Sequence, residues 1–195
     1  MENIQISELM NIIEYEKIRQ KYRNDLILYK KSRRVEIGPN ITVTFENKRT
    51  MKFQIQEIMR AERMVHDHQI EEEIKVYNSL LPKNNELSAT LFIEVADESK
   101  IKSVLNSFIG LTNGENLYFK IGDSKIPAIF ESGREEEDKI SSVHYIKFEF
   151  NQDYISLFKD ENKDVILEIN YKKYLYGVEL DKLTRDSLIR DLNGN

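Results

Sequence analysis

One stretch, Arg49 to Glu73, places a carboxylate where a helix should be apolar. Wound at about 100° per residue, its apolar stripe collects Met51, Ile55, Ile58, Met59 and Val65. Glu62 falls inside that stripe, four residues after Ile58 and three before Val65. His66 follows four residues later on the same side. A carboxylate is rarely buried unpaired, so Glu62 reaches water, finds a cation, or holds a proton. Three readings follow. Glu62 and His66 could form a metal-binding pair, since an i,i+4 spacing puts both on one helix face. The di-iron signature of four-helix bundles is instead Glu-x-x-His in two copies, which this chain lacks. The second reading is a carboxylate neutralised by an arginine from elsewhere. The third is a helix end that opens to solvent.

A second constellation surrounds the first. Arg33, Arg34, Arg49 and Arg60 could form an anion site, because guanidinium donors match carboxylate or phosphate in bidentate fashion. The plainer reading is an ion-pair network with Glu46, Glu57 and Glu62 that locks the preceding strands to the helix. His144 shares an alternating apolar face with Ile146, Phe148 and Phe150, where a hydrogen-bonded core histidine is the expected state. No glycine-rich phosphate loop, Ser/His/Asp arrangement or nucleophile elbow accompanies these residues.

The elements that must position them follow from the hydrophobic period. A helix is expected from a Ser7 cap to Lys31. Strands at Arg33–Ile37 and Ile41–Glu46 flank Gly38-Pro39-Asn40 as a hairpin. Thr50 is the expected cap of the central helix, and a further helix from about Gln69 to Leu80 stops at Pro82. From Ser88 the period becomes two. Strands are expected at Thr90–Val95, Leu117–Ile121, Ile126–Phe130, Val143–Phe150, Val165–Tyr171 and Tyr174–Leu180. Helices are expected at Glu98–Ile109 and Asp153–Lys159, with a terminal helix capped by Thr184. Ser132–Lys139 reads as a polar loop.

This order predicts an α+β fold: an antiparallel sheet of ferredoxin-like, split βαβ type, with an N-terminal β-hairpin and helices packed on it. The 195 residues suit a single domain, in which residues 1–82 and 88–195 form integrated halves, since no linker-like stretch separates them.

Composition narrows the functional classes. With 40% hydrophobic and 32% charged residues, the chain has the balance of a soluble globular protein. The absence of cysteine excludes disulfides, thiolate zinc sites, protein-ligated iron–sulfur clusters and a catalytic thiol. No signal peptide and no membrane span are apparent, so a cytoplasmic location is expected. The net charge of −5 is uneven: residues 1–60 hold 12 Lys and Arg against 8 Asp and Glu, while the remainder is acidic. The run Lys30, Lys31, Arg33, Arg34 could contact phosphates, but it equally suits a helix C-terminus, and no stacking motif supports nucleic-acid binding.

The segments RRVEIGPNITVTFENKRTMKFQIQEIMRAER, YNSLLP, ELSATLFIE, SSVHYIKFEF and RDSLIRDL together resemble a bacterial family known as domain of unknown function 3501. The resemblance covers nearly the whole chain, with Arg33, Arg34, Glu46, Arg49, Gln56, Glu57, Arg60, Glu62 and His144 on the family pattern. It implies no activity and no cofactor. Members are often encoded beside rubrerythrin-like and iron–sulfur oxidoreductase proteins, which implies a protein partner in redox or oxidative-stress chemistry. Near Asn170-Tyr171 many relatives carry a His-Pro pair that is absent here. Three functional expectations result: a non-catalytic accessory or regulatory module acting through residues 33–62, an enzyme or sensor that binds a small anion or metal there, and, third, a nucleic-acid binder.

Overall fold

The computed structural model describes residues 2–133 and 139–194. The charged centre of the polar loop, residues 134–138, therefore lies outside the described residues. A 3-10 turn at Ile6–Glu8 precedes α1 (Ile12–Lys30), β1 (Arg34–Ile37), β2 (Ile41–Glu46), α2 (Lys48–Ala61), α3 (Asp67–Ser79) and β3 (Glu86–Ile93). Then come α4 (Ile101–Phe108), β4 (Leu117–Ile121), β5 (Ser124–Phe130), β6 (Val143–Glu149), α5 (Gln152–Lys159), β7 (Ile166–Tyr171), β8 (Tyr174–Glu179) and α6 (Lys182–Leu192).

The α+β class and the antiparallel pairing match expectation, but the sheet is not ferredoxin-like. Eight strands run in the order β1-β2-β3-β6-β5-β4-β7-β8 and curl into a nearly closed barrel. A split βαβ sets one strand between the two strands that a helix joins, whereas here two strands separate β3 from β4, joined through α4, and two separate β6 from β7, joined through α5. The hairpin β1–β2 is part of this same sheet. Its three-residue loop brings Gly38 against the last strand: Gly38 has φ of 69°, and a Cβ there would meet Tyr174 Oη and the Tyr176 ring at 2.7 Å. The Tyr174 hydroxyl donates to the Ile37 carbonyl and accepts from the amides of Asn40 (3.1 Å) and Ile41 (3.2 Å). A tyrosine thus bridges the seam between β1 and β8, where no β ladder forms among the described residues.

Two cores result. Inside the barrel, Phe45, Phe119 and Phe148 pack ring on ring, with Phe119–Phe148 centroids 4.6 Å apart. Phe158 of α5 and Leu188 and Leu192 of α6 fill one end, while Phe108 of α4 meets Tyr174 at the other. The second core lies outside the barrel, where Met51, Ile55 and Met59 of α2 and Ile70 and Ile74 of α3 pack beside Tyr145. The outer face of β2 and β3 is therefore covered as well, although Thr42, Thr44, Glu46, Ser88 and Thr90 make it polar. β6 sits between β3 and β5 with Ile146, Phe148 and Phe150 buried, as its alternation predicts. Phe148→Ala should lower the unfolding free energy by about 3–5 kcal/mol in urea titrations, since it removes the ring contacts with Phe45 and Phe119 at the barrel centre. A loss below about 1 kcal/mol would mean that the site collapses freely.

Candidate functional site

The candidate residues separate into distinct environments. Arg33 precedes β1 and is 0% exposed. Its Nε donates to the Phe45 carbonyl at 2.9 Å, Nη1 donates to Ser187 Oγ at 2.9 Å, and Nη2 pairs with Asp191. With its donors engaged inside the protein, Arg33 does not present a fork to an external anion. Asp191 in turn accepts from Asn47 Nδ2 at 3.0 Å. Asn47 caps α2 by accepting from the Arg49 and Thr50 amides, and its Nδ2 also reaches the Tyr29 hydroxyl at 2.7 Å. Arg49 lies over the Tyr29 ring, 4.1 Å from its centroid. The cap thus lies three residues before the expected Thr50. Asn47 performs that role, and Thr50 completes a reciprocal capping pair.

Arg34 points outward and pairs with Glu94 at 3.0 Å. Arg60 pairs with Glu16, and Glu57 binds Arg19 through two 2.8 Å hydrogen bonds. Tyr15, wholly buried, donates to Glu57 at 2.6 Å. One Arg/Glu network across hairpin and helix is therefore replaced by separate pairs that tie α1 to α2. The Arg19 hydrogen bonds hold the Glu57 carboxyl below the usual carboxylate range, against the opposing effect of desolvation. Burial, then the Glu57 carboxylate, push the Tyr15 hydroxyl upward.

Glu62 is exposed, because α2 ends before it can be buried. Glu62 is the C-cap, Arg63 adopts φ of 55°, and the Met64 amide returns to the Met59 carbonyl at 2.9 Å. This is a Schellman turn with arginine in the left-handed position usually held by glycine. His66 then lies outside α2, as the N-cap of α3, so the i,i+4 pair with Glu62 does not form. His66 stacks on His68 at 5.7 Å. Among the described residues no three His, Asp or Glu side chains gather as a metal site. His144 is buried, with Nε2 2.8 Å from the Ser141 carbonyl and its ring edge-on to Phe130.

Two further features stand out. The bend after Glu62 leaves an apolar groove of about 500 Å³ between α1, α2 and α3, lined by Leu9, Met10, Ile13, Met59, Met64 and Val65. Ile13 is 73% and Val65 68% exposed at its rim. The other feature is Glu46, which is 2% exposed. Its Oε1 accepts from Gln54 Nε2 (3.2 Å) and Thr90 Oγ1 (3.1 Å), but no hydrogen bond reaches Oε2. Sequence reasoning named Glu46 as an arginine partner and missed Asp191, which fills that role from the RDSLIRDL segment.

The fold and its site residues define an α+β barrel protein with a helical layer over one wall. A family model described as "Protein of unknown function (DUF3501)" matches residues 3–192, and the chain belongs to that family. It is similar to a protein of unknown function from Burkholderia pseudomallei K96243, solved at 1.90 Å. That likeness has 25% identity and a TM-score of 0.89, and it covers 98% of this chain and 100% of the other. None of the curated proteins matches this chain.

Asp191→Ala strands a buried guanidinium and should cost about 3–5 kcal/mol of folding free energy, whereas the Arg33→Met/Asp191→Leu pair should cost much less. Urea unfolding of the single and double variants measures the coupling. A pH dependence follows from the tyrosines. Burial is the first cause that raises Tyr15, Tyr22, Tyr77, Tyr118 and Tyr174 above the ordinary value of 10.0. With the folded-state value raised, the stabilisation is complete below the ordinary value of 10.0 and is lost as the pH rises from there through the folded-state value. The urea midpoint should hold from pH 8 to 9.5 and fall beyond pH 10, with a shallower fall in Tyr15→Phe. A midpoint independent of pH up to 11 would contradict this.

Proposed function

We propose that this protein is a non-catalytic accessory module of a cytoplasmic bacterial redox or oxidative-stress system, and that it acts by holding a protein partner. The observation that carries the reading is the groove at the α2–α3 bend. Its volume of about 500 Å³ accommodates the apolar side chains of one amphipathic helix face. Met10, Met59 and Met64 line it, and methionine adapts to irregular apolar partners at little conformational cost. Glu14, Lys17 and Asp67 surround it with both signs of charge, as suits the polar flanks of such a helix. The occupant is therefore a helix with apolar residues at i, i+3, i+4 and i+7. The partner expected from the family resemblance is a rubrerythrin-like or iron–sulfur oxidoreductase protein.

The Arg/Glu pairs of residues 33–62 serve this reading indirectly. Arg19–Glu57 and Glu16–Arg60 fix α1 on α2 and so hold one wall of the groove. A photo-crosslinking amino acid at position 13, in a bacterium carrying the native gene, should capture a redox protein of that class. Val65→Asp should abolish capture while leaving the melting temperature within about 2 °C, since an exposed substitution changes stability little. Capture that survives Val65→Asp, or no captured redox protein, would overturn the proposal.

A further inference from the structure

The methionine-lined groove does not end at its rim. A second depression of about 510 Å³ lies beside it, lined by Glu16, Arg60, Ala61 and Arg63, and the two share Ile12, Ile13 and Val65. Ile13 and Val65, both largely exposed, therefore stand as an apolar ridge between two hollows. The hollows carry opposite charge. Glu14 and Asp67 outweigh Lys17 around the first, whereas Arg60 and Arg63 outweigh Glu16 around the second.

Arg63 is the unusual member of this set. It holds φ of 55° in the turn that ends α2, a position where glycine carries no Cβ penalty. Among the described residues two other non-glycine positions adopt such a φ, and each has a local reason. Asparagine tolerates the conformation at Asn85, and Lys172 donates to the Ile109 carbonyl at 2.8 Å. Arg63 has neither. Among the described residues its guanidinium makes no hydrogen bond and no ion pair, while Arg60 is held by both oxygens of Glu16. An exposed arginine kept in a strained backbone position, with its donors open beside an apolar ridge, has the properties of a contact residue.

We infer that the helical occupant of the groove crosses the Ile13–Val65 ridge and sets an Asp or Glu side chain against Arg63, while a Lys or Arg at the other end of its apolar stripe faces Glu14 and Asp67. This rests on the reading of the groove as a helix-binding site, and it adds the charge order of the bound helix. The guanidinium fork takes a carboxylate in bidentate fashion, and the arriving helix excludes water from the pair. Burial against the ridge supplies affinity. The opposed charges supply orientation, since a helix of reversed charge order would set like charges against each other at both ends.

The test is a display selection on the purified protein. The library holds helical peptides with apolar residues fixed at i, i+3, i+4 and i+7 and the flanking positions randomised. Enriched peptides should carry an acidic residue at one end of the stripe and a basic residue at the other, and Val65→Asp should abolish their binding. For one such synthetic peptide, followed by fluorescence anisotropy, Arg63→Gln should weaken binding about fivefold, as for loss of one solvent-accessible ion pair. Arg63→Gly should weaken it equally while raising the melting temperature by about 2–4 °C, because glycine relieves the backbone strain. A residue that served the turn alone would not move binding and stability in opposite directions. Replacing the peptide's acid with Lys should abolish binding to the parent protein and restore it to Arg63→Glu. Enriched peptides without the acid, or binding indifferent to Arg63→Gln, would overturn the inference and leave the groove reading standing. Absence of any enriched peptide that Val65→Asp displaces would overturn both. These readouts need no cellular partner, so they support the inference even where the capture experiment finds no redox protein.

Discussion

Five elements meet at the ion pair between Arg33 and Asp191. The arginine stands where the chain leaves α1 for β1, and the aspartate is one residue from the end of α6. Neither group has access to bulk water, so each requires the other. Through Asn47, the same carboxylate is tied to the N-terminus of α2. The Tyr29 hydroxyl, which accepts from Arg33 and Asn47, ties the pair to the last turn of α1. The pair closes one barrel end and sets the starting angle of the helix that carries most of the candidate residues. A buried ion pair of this kind adds little net stability compared with an apolar filling, yet it makes alternative dockings of α6 costly.

From that anchored start, the geometry of the helical layer follows. α2 runs across a barrel wall whose threonine, serine and glutamate side chains would ordinarily face water. Covering that wall obliges its polar groups to find partners. Ser88 donates to the Leu80 carbonyl, Thr90 donates to Glu46, and Thr42 donates to Glu94. At its far end α2 stops in the Schellman turn, and the change of direction into α3 opens the methionine-lined groove. The groove and the burial of Glu46 are thus both consequences of laying a helical layer on a polar strand face.

The pairs between α1 and α2 give that layer its outer wall. α1 buries few apolar residues, with Tyr15 and Leu26 the fully covered positions, so hydrophobic burial alone specifies its seat poorly. Charge-assisted contacts supply direction instead: two hydrogen bonds from Arg19 to Glu57, one from Tyr15 to the same carboxylate, and the Arg60–Glu16 pair.

The sequence by itself determined the local elements. Turn formers located the first two barrel strands and period-two alternation the other six, with ends displaced by a few residues, and the 3.6-residue period found α2, α3 and α5, because these signals come from backbone geometry within a few residues. The buried face of His144, Ile146 and Phe148 was legible for the same reason. Glu62 was not. Its position on the stripe presumed a helix that continues, and no glycine announced the left-handed residue that ends it. Strand order, barrel closure and the choice of Asp191 over Glu46 for Arg33 belonged to the tertiary structure. The Arg33–Asp191 hydrogen bond spans 158 residues. Alternating Thr and Glu on β2 mark a polar face but carry no information about a helix that covers it. Partners of that kind are decided by which distant segments pack together, whereas periodicity records only what each segment does alone.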